Sequence, residues 1–173
     1  PFAEIPEWCV LIDVGMSASG DPVASLTTLF ELGMNAGLTT DGVIAQSAGQ
    51  RADLWAIREN IPEANRRIGS ISSHDISVPL STIPDFIDAG KARLAKLGDY
   101  RINCFGHLGD GNLHYNVFPQ PGWTRADHED DRQAVKTLVH DLAHEFGGSV
   151  SAEHGVGRLK VSDLATYASP EKL

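Results

Sequence analysis

The sequence predicts an α+β fold, a mainly antiparallel β-sheet covered by helices, and three observations predict it. Short β-rich runs alternate with amphipathic stretches through the first half of the 173 residues. Tyr100 to Phe118 then reads as a hairpin ("YRINCFGHL", a turn, "NLHYNVFP"), a connection that only antiparallel strands can make so briefly. Finally, Val135, Leu138, Val139, Leu142 and Phe146 follow i, i+3, i+4, i+7 spacing, which gives a helix one apolar face to lay on that sheet.

Taken in order, "WCVLIDVG" (Trp8 to Gly15) is apolar and β-rich and reads as a strand. Asp21-Pro22 opens a helix through about Asn35, with Val23, Leu26, Phe30 and Met34 as its inner positions. "GVIAQS" (Gly42 to Ser47) reads as a second short strand. Arg51 to Arg67 is helical in pattern, with Leu54, Trp55, Ile57 and Ile61 facing inward and Pro62 interrupting it. "SSHDISVPL" (Ser72 to Leu80) is a strand closed by Pro79, and Ile83 to Leu97 a further helix ending at the Gly98-Asp99 turn. Gly147-Gly148 stops the amphipathic helix. A short helix follows from about Lys160 to Tyr167.

The length fits about one domain with a substantial core. A formal net charge of −9 argues against an extended nucleic-acid surface, because phosphate binding needs clustered Lys and Arg. Cys9 and Cys104 sit in apolar runs and read as small buried hydrophobes rather than a disulfide framework, so a reducing cytoplasm is the default compartment. No apolar run reaches the ~18 residues of a membrane span. Both ends look cut: the chain opens at Pro1, and "SPEKL" places Ser169 as an N-cap, Pro170 as first helical residue and Glu171 as first-turn acid. The chain is expected to be a piece of a longer protein.

The chemistry concentrates in two motifs. In "GHLGDGNLHYN", a two-residue turn at Asp110-Gly111 pairs His107 directly with His114 and Phe105 with Asn116. Alternation then places His107, His114 and Asn116 on one face, with the two imidazoles about 5 Å apart at Cβ. Such a pair can co-ligate a metal, or it can be an ordinary hairpin whose histidines make hydrogen bonds. In "SAEHGVGR", Glu153 and His154 are neighbours, and both reach one site only if the backbone bends, as Gly155 and Gly157 permit. Glu153 would complete a two-histidine, one-carboxylate set suited to zinc, with iron or manganese as alternatives, and His154 would be left as a proton acceptor. Alternatively, the segment is a solvated loop. His140 and His144 read as helix residues beside the apolar stripe, His128 as part of a solvated acidic loop, and His74 as a structural strand residue. Arg58, three residues after Trp55, either pairs with a substrate carboxylate or merely solvates its helix.

Four ordered segments, "WAIRENIPEA", "HDISVP", "GHLGDGNLHYN" and "GSVSAEHGVGR", together resemble the C-terminal, substrate-side domain of FAD-linked oxidases and dehydrogenases of the vanillyl-alcohol oxidase superfamily. The D-2-hydroxyglutarate and D-lactate dehydrogenases and the glycolate oxidase flavin subunit are similar in these segments. The resemblance covers residues 1–173 almost throughout and implies ferredoxin-like elements in the fold. It also implies that the FAD-binding N-terminal half and a short C-terminal tail lie outside this chain. By the same resemblance His107, His114 and Glu153 hold a divalent metal, usually zinc. His154 is the base, Arg58 grips a substrate carboxylate, and Asn116 lines the substrate pocket. Pro62 stands where the hydroxyglutarate enzymes carry threonine and Ser73 where they carry lysine, two side chains that hold substrate carboxylates. The resemblance therefore points to 2-hydroxy acids as a class rather than to the five-carbon diacid.

The expected function is thus the substrate- and metal-binding domain of an FAD-dependent D-2-hydroxy acid dehydrogenase or oxidase. Its partners would be a small 2-hydroxy acid and a separate electron acceptor, with a homo-oligomer also open, in the cytoplasm or, in a eukaryote, the mitochondrion. The fragment alone is expected to be inactive. A stand-alone metal-dependent hydrolase and a non-catalytic metabolite-binding module are the alternatives.

Overall fold

The computed structural model describes residues 5–158 and 161–167. The helix start read at Ser169 to Glu171 lies outside them, as does Lys160. Chain contacts divide the protein into two units, residues 1–64 and 65–173.

The first unit is helical. Helix α1 (Pro22–Asn35) begins where the sequence places it, with the Asp21 carboxylate accepting the Ala24 amide at 3.0 Å and Pro22 in the first turn. Helix α2 (Ala48–Glu59) is capped by Ser47, whose hydroxyl accepts the Gln50 amide. Helix α3 (Ile61–Ile68), of which residues 61–64 belong to this unit, follows after a break at Asn60, with Pro62 in its first turn, where the missing N–H is harmless. The interruption expected at Pro62 is therefore present as two helices.

The strands read at Trp8 to Gly15 and Gly42 to Ser47 are absent: both segments are irregular. A strand needs a neighbour for its N–H and C=O groups, and the described residues offer these runs none. Trp8 and Val10 are accordingly 55% and 71% exposed, and Cys9 is exposed rather than buried. The inner positions expected on α1 and α2 are at most half-buried, with Val23, Met34 and Ile57 exposed. What ties the unit together instead is polar. The Asp13 carboxylate accepts from the Trp55 indole N–H at 2.9 Å and from Arg51.

The second unit is the α+β body. Strands β1 (Ser72–Ser77), β2 (Tyr100–His107) and β3 (Asn112–Pro119) form an antiparallel sheet in the order β1-β3-β2. Helix α4 (Ile83–Leu94) follows a short 3-10 turn after β1. Helix α5 (Arg132–Glu145) follows β3, and α6 (Val161–Tyr167) comes last.

Alternation sorts the sheet into two faces. Ile76, Ile102, Cys104, Leu113, Tyr115 and Val117 turn to one side and meet Phe86, Ile87 and Leu94 of α4 and Val135, Val139 and Leu142 of α5. Tyr115 is wholly buried at the centre, with Phe86 edge-on to its ring. The α5 stripe is the predicted one: Val135, Val139 and Leu142 are buried, while Leu138 and Phe146 pack at its margin. The opposite face carries Ser73, Asp75 and Ser77 from β1, Asn103, Phe105 and His107 from β2, and Asn112, His114 and Asn116 from β3.

Hairpin register differs from the sequence expectation. His107 pairs with Asn112, Phe105 with His114 and Asn103 with Asn116. The connection is the four-residue loop Leu108 to Gly111 rather than a two-residue turn, so every pairing slips by two. An even slip preserves the faces, and His107, His114 and Asn116 stay on the same side. Gly111 closes the loop at φ 74°, and a Cβ there would stand 2.1 Å from the Val78 carbonyl oxygen.

Candidate functional site

The site assembles on the polar face, where the hairpin meets the segment after α5. Gly147 leaves the helix at φ 72°, and Ser149 exchanges two backbone hydrogen bonds with Ser77 at the end of β1 (3.0 and 2.8 Å). The chain then bends through Ala152 to His154, and Gly155 and Gly157 carry positive φ, as expected of a segment that must turn. This is why Glu153 and His154, adjacent in sequence, come to the same place. Neither lies in a strand that would oppose them.

Glu153 reaches both hairpin histidines. Its Oε1 lies 2.7 Å from His107 Nδ1 and its Oε2 lies 3.8 Å from His114 Nε2. The two imidazoles, diagonal across the strands, have ring centroids 6.4 Å apart. The His154 ring stands 6.1 Å from that of His114, and Phe105 packs on the other side of His114 at 4.9 Å. Within the described residues, two trios each offer one ligand atom within 4.8 Å of the others: Asp75, His114 and His154, and His107, Asp110 and Glu153. The predicted set of His107, His114 and Glu153 is divided between these trios, with His107 and Glu153 in one and His114 in the other. Two imidazoles and a carboxylate are the nitrogen and oxygen donors zinc accepts, so the residues present fit such an ion.

Two acids here escaped the sequence reading. Asp110 sits in the hairpin loop, its carboxylate accepting the Asn112 amide at 3.0 Å. Asp75, on β1 opposite His114, is buried. Its Oδ1 accepts from the Asn112 side-chain amide at 2.7 Å, and its Oδ2 accepts the backbone N–H groups of both Glu153 and His154 at 2.9 Å. Burial by itself would raise this carboxyl's pKa. The His154 amide, the Asn112 side chain and the Glu153 amide outweigh it and hold the pKa below the ordinary carboxylate value. The available signal was the two-residue period of "SHDIS", which puts Asp75 on the face opposite His74 and Ile76.

Asn116, also buried, donates to the His114 carbonyl at 3.2 Å and the Asn103 carbonyl at 3.4 Å, and Asn103 in turn accepts from Asn65. Ser73 lies across the strands from Asn116, its hydroxyl 2.6 Å from that of Ser70. Arg58 belongs to the first unit, half-buried in the last turn of α2.

The remaining histidines are structural. His74 and His140 are buried edge to face on the helical side of the sheet, and His140 lies 3.6 Å from Asp163 of α6, which Lys136 also holds at 2.8 Å. His144 stacks loosely on Tyr167. His128 is not solvated as expected. It is held by Asp131 at 2.9 Å and packed between Tyr100 and Trp123, because the acidic segment folds back over the sheet end. Two surface grooves, one beside α4 and β2 and one between α4 and α5, contain none of the predicted site residues. No helix among the described residues is long and apolar enough to cross a membrane.

Comparison with known proteins identifies the family. The family model described as FAD linked oxidases, C-terminal domain, matches residues 8–173. The chain is 37% identical over 174 residues to the D-2-hydroxyglutarate dehydrogenase of Xanthomonas citri pv. viticola, covering 100% of this chain and 36% of that protein. It is 35% identical over 170 residues to the mitochondrial D-2-hydroxyglutarate dehydrogenase of Rattus norvegicus, covering 98% and 30%. Against the mitochondrial D-2-hydroxyglutarate dehydrogenase of Arabidopsis thaliana the identity is 31% over 172 residues, covering 99% and 29%. The chain spans about a third of the length of the curated relatives it matches. With an α+β body of the expected kind and a match that runs over nearly its whole length, the chain belongs to the family of FAD-linked oxidase C-terminal domains.

Proposed function

We propose that this chain is the substrate- and metal-binding part of an FAD-dependent dehydrogenase or oxidase that converts a D-2-hydroxy acid to the 2-oxo acid. The observation that carries the reading is the Glu153 carboxyl reaching His107 and His114 together, with His154 beside them. The D-2-hydroxyglutarate dehydrogenases to which the chain is similar supply the class of substrate. The eukaryotic ones are mitochondrial by name, and a mitochondrial setting is the proposal for a eukaryotic source.

His107, His114 and Glu153 would hold a divalent cation, zinc by donor type. When bound, that ion would supply a fixed positive charge that makes the substrate hydroxyl more acidic. His154 accepts the hydroxyl proton on its imidazole nitrogen, acting as general base. Asn116 presents an amide on the same face for polar contact with the substrate, and Arg58 pairs with a substrate carboxylate. FAD, when bound, would supply the hydride acceptor that no side chain can provide. Pro62 offers no hydroxyl and Ser73 no ammonium, so 2-hydroxy acids smaller or more apolar than the five-carbon diacid belong in the substrate set.

The test is turnover of the intact protein on a panel of D-2-hydroxy acids with a dye acceptor. We expect a yellow preparation that reduces dye, and His154→Ala lowering kcat by about a hundredfold or more with flavin retained. A colourless protein that hydrolyses esters or amides with the same residues would replace this reading with a metal hydrolase.

A further inference from the structure

We propose that Asp75 is the positioning residue of the site. Through the amides of Glu153 and His154 it sets the carboxyl that meets His107 and His114 and the imidazole that stands beside them. The inference rests on the metal reading above and extends it to a residue with no assigned role.

Four observations carry it. Glu153 and His154 lie on an irregular segment, which has no strand ladder or helix to fix their side chains. The segment is anchored to β1 at Ser149 by its two short hydrogen bonds with Ser77, and nearer Glu153 the Ala152 amide reaches the Asp75 carbonyl only at 3.3 Å. Beyond it, one carboxylate oxygen takes two consecutive backbone N–H groups at 2.9 Å each, which fixes both peptide planes and so the directions in which both side chains leave. Asp75 is itself unable to wander. It is rooted in β1, buried, and its other oxygen is held at 2.7 Å by Asn112, which is only 1% exposed and also donates to the Ile76 carbonyl. Position thus passes from the hydrogen-bonded three-stranded sheet to an irregular segment of the site. Supporting groups of this kind are worth roughly 10–100-fold in metal affinity.

The experiment measures zinc affinity of the intact protein by chelator competition, together with site-resolved amide hydrogen exchange on the metal-free protein. In Asp75→Ala both acceptors are gone. Zinc affinity should fall about tenfold or more, and exchange at the Glu153 and His154 amides should accelerate by a similar factor, while the Leu113 and Tyr115 amides of β3 keep their rates. Asp75→Asn retains a carbonyl oxygen that can still accept both amides, while its NH2 group faces the Asn112 NH2, which keeps its bond to the Ile76 carbonyl, and that one contact weakens. This variant should recover most of the affinity and show only several-fold faster exchange at the two amides. If Asp75 acted only through its charge, Asp75→Asn would be as defective as Asp75→Ala, and that result overturns the proposal. So does unchanged exchange at Glu153 and His154 in either variant. Should Asp75→Ala not fold, the Asp75→Asn exchange rates decide alone. A parent protein without affinity for zinc would remove the metal reading, while the exchange data would still judge whether Asp75 sets the segment.

Discussion

Gly111 shows how much one backbone position can hold. It combines φ 74° with a 2.1 Å approach of any added Cβ to the Val78 carbonyl, while its own carbonyl accepts the Val78 amide at 3.1 Å. Gly111→Ala must therefore adopt a left-handed conformation and push the loop off Val78, at a cost of about 2 kcal/mol or more. Urea denaturation should show that loss, with the hairpin histidines displaced in the folded fraction. The two cysteines differ as sharply. Burial against the core pushes the Cys104 thiol up to about 12, whereas Cys9 is exposed. A disulfide reagent at mildly alkaline pH should label Cys9 rapidly in the native chain and reach Cys104 only after denaturation.

Among elements, the cap over the sheet end gives a pH-dependent contribution of known sign. Asp131 is lowered first by its hydrogen bond from His128, against slight burial, and also by the hydrogen bond Tyr100 donates to it at 3.1 Å. A carboxyl whose folded pKa is depressed adds stability above its unfolded value of about 3.9, and that stability is lost as pH falls through the folded value. The Asp131 side chain is 44% exposed, so solvent screens the contribution to a few tenths of a kcal/mol. Asp131→Asn should be less stable than the parent near pH 7, and the gap should be narrower at pH 3, below the unfolded value. Equal gaps at both pH values would show that the cap is held by packing of His128 and Tyr100 alone. On α5, by contrast, packing dominates. Leu142 is fully buried in the core, and Leu142→Ala should cost about 2–5 kcal/mol in the same assay.

At the scale of the whole molecule, the two faces of the sheet divide the labour. The apolar face spends its residues on α4 and α5, which frees the opposite face to carry acids, amides and imidazoles without weakening the core. Glu153→Gln keeps the volume of that side chain and removes its charge. In the intact protein it should lower zinc content at a fixed chelator concentration while leaving the thermal midpoint of the sheet body nearly unchanged. His107→Ala should behave alike, because His107 is exposed and lies outside the core.

The α5 stripe, the Asp21-Pro22 cap, the break at Pro62 and the hairpin were legible in the sequence because each is a local rule, satisfied by residues within a few positions of one another. The face shared by His107, His114 and Asn116 was legible too, since alternation survives any even slip of register. The register itself was decided only by tertiary structure, where packing of Gly111 on Val78 selects a four-residue loop over the tighter turn. Partnership was equally hidden. Apolar runs at Trp8 and Gly42 carry strand composition, yet composition cannot supply the neighbour that a strand requires. Asp75 lies 78 residues from Glu153 along the chain, and only the folded sheet brings its carboxylate under the two amides it holds.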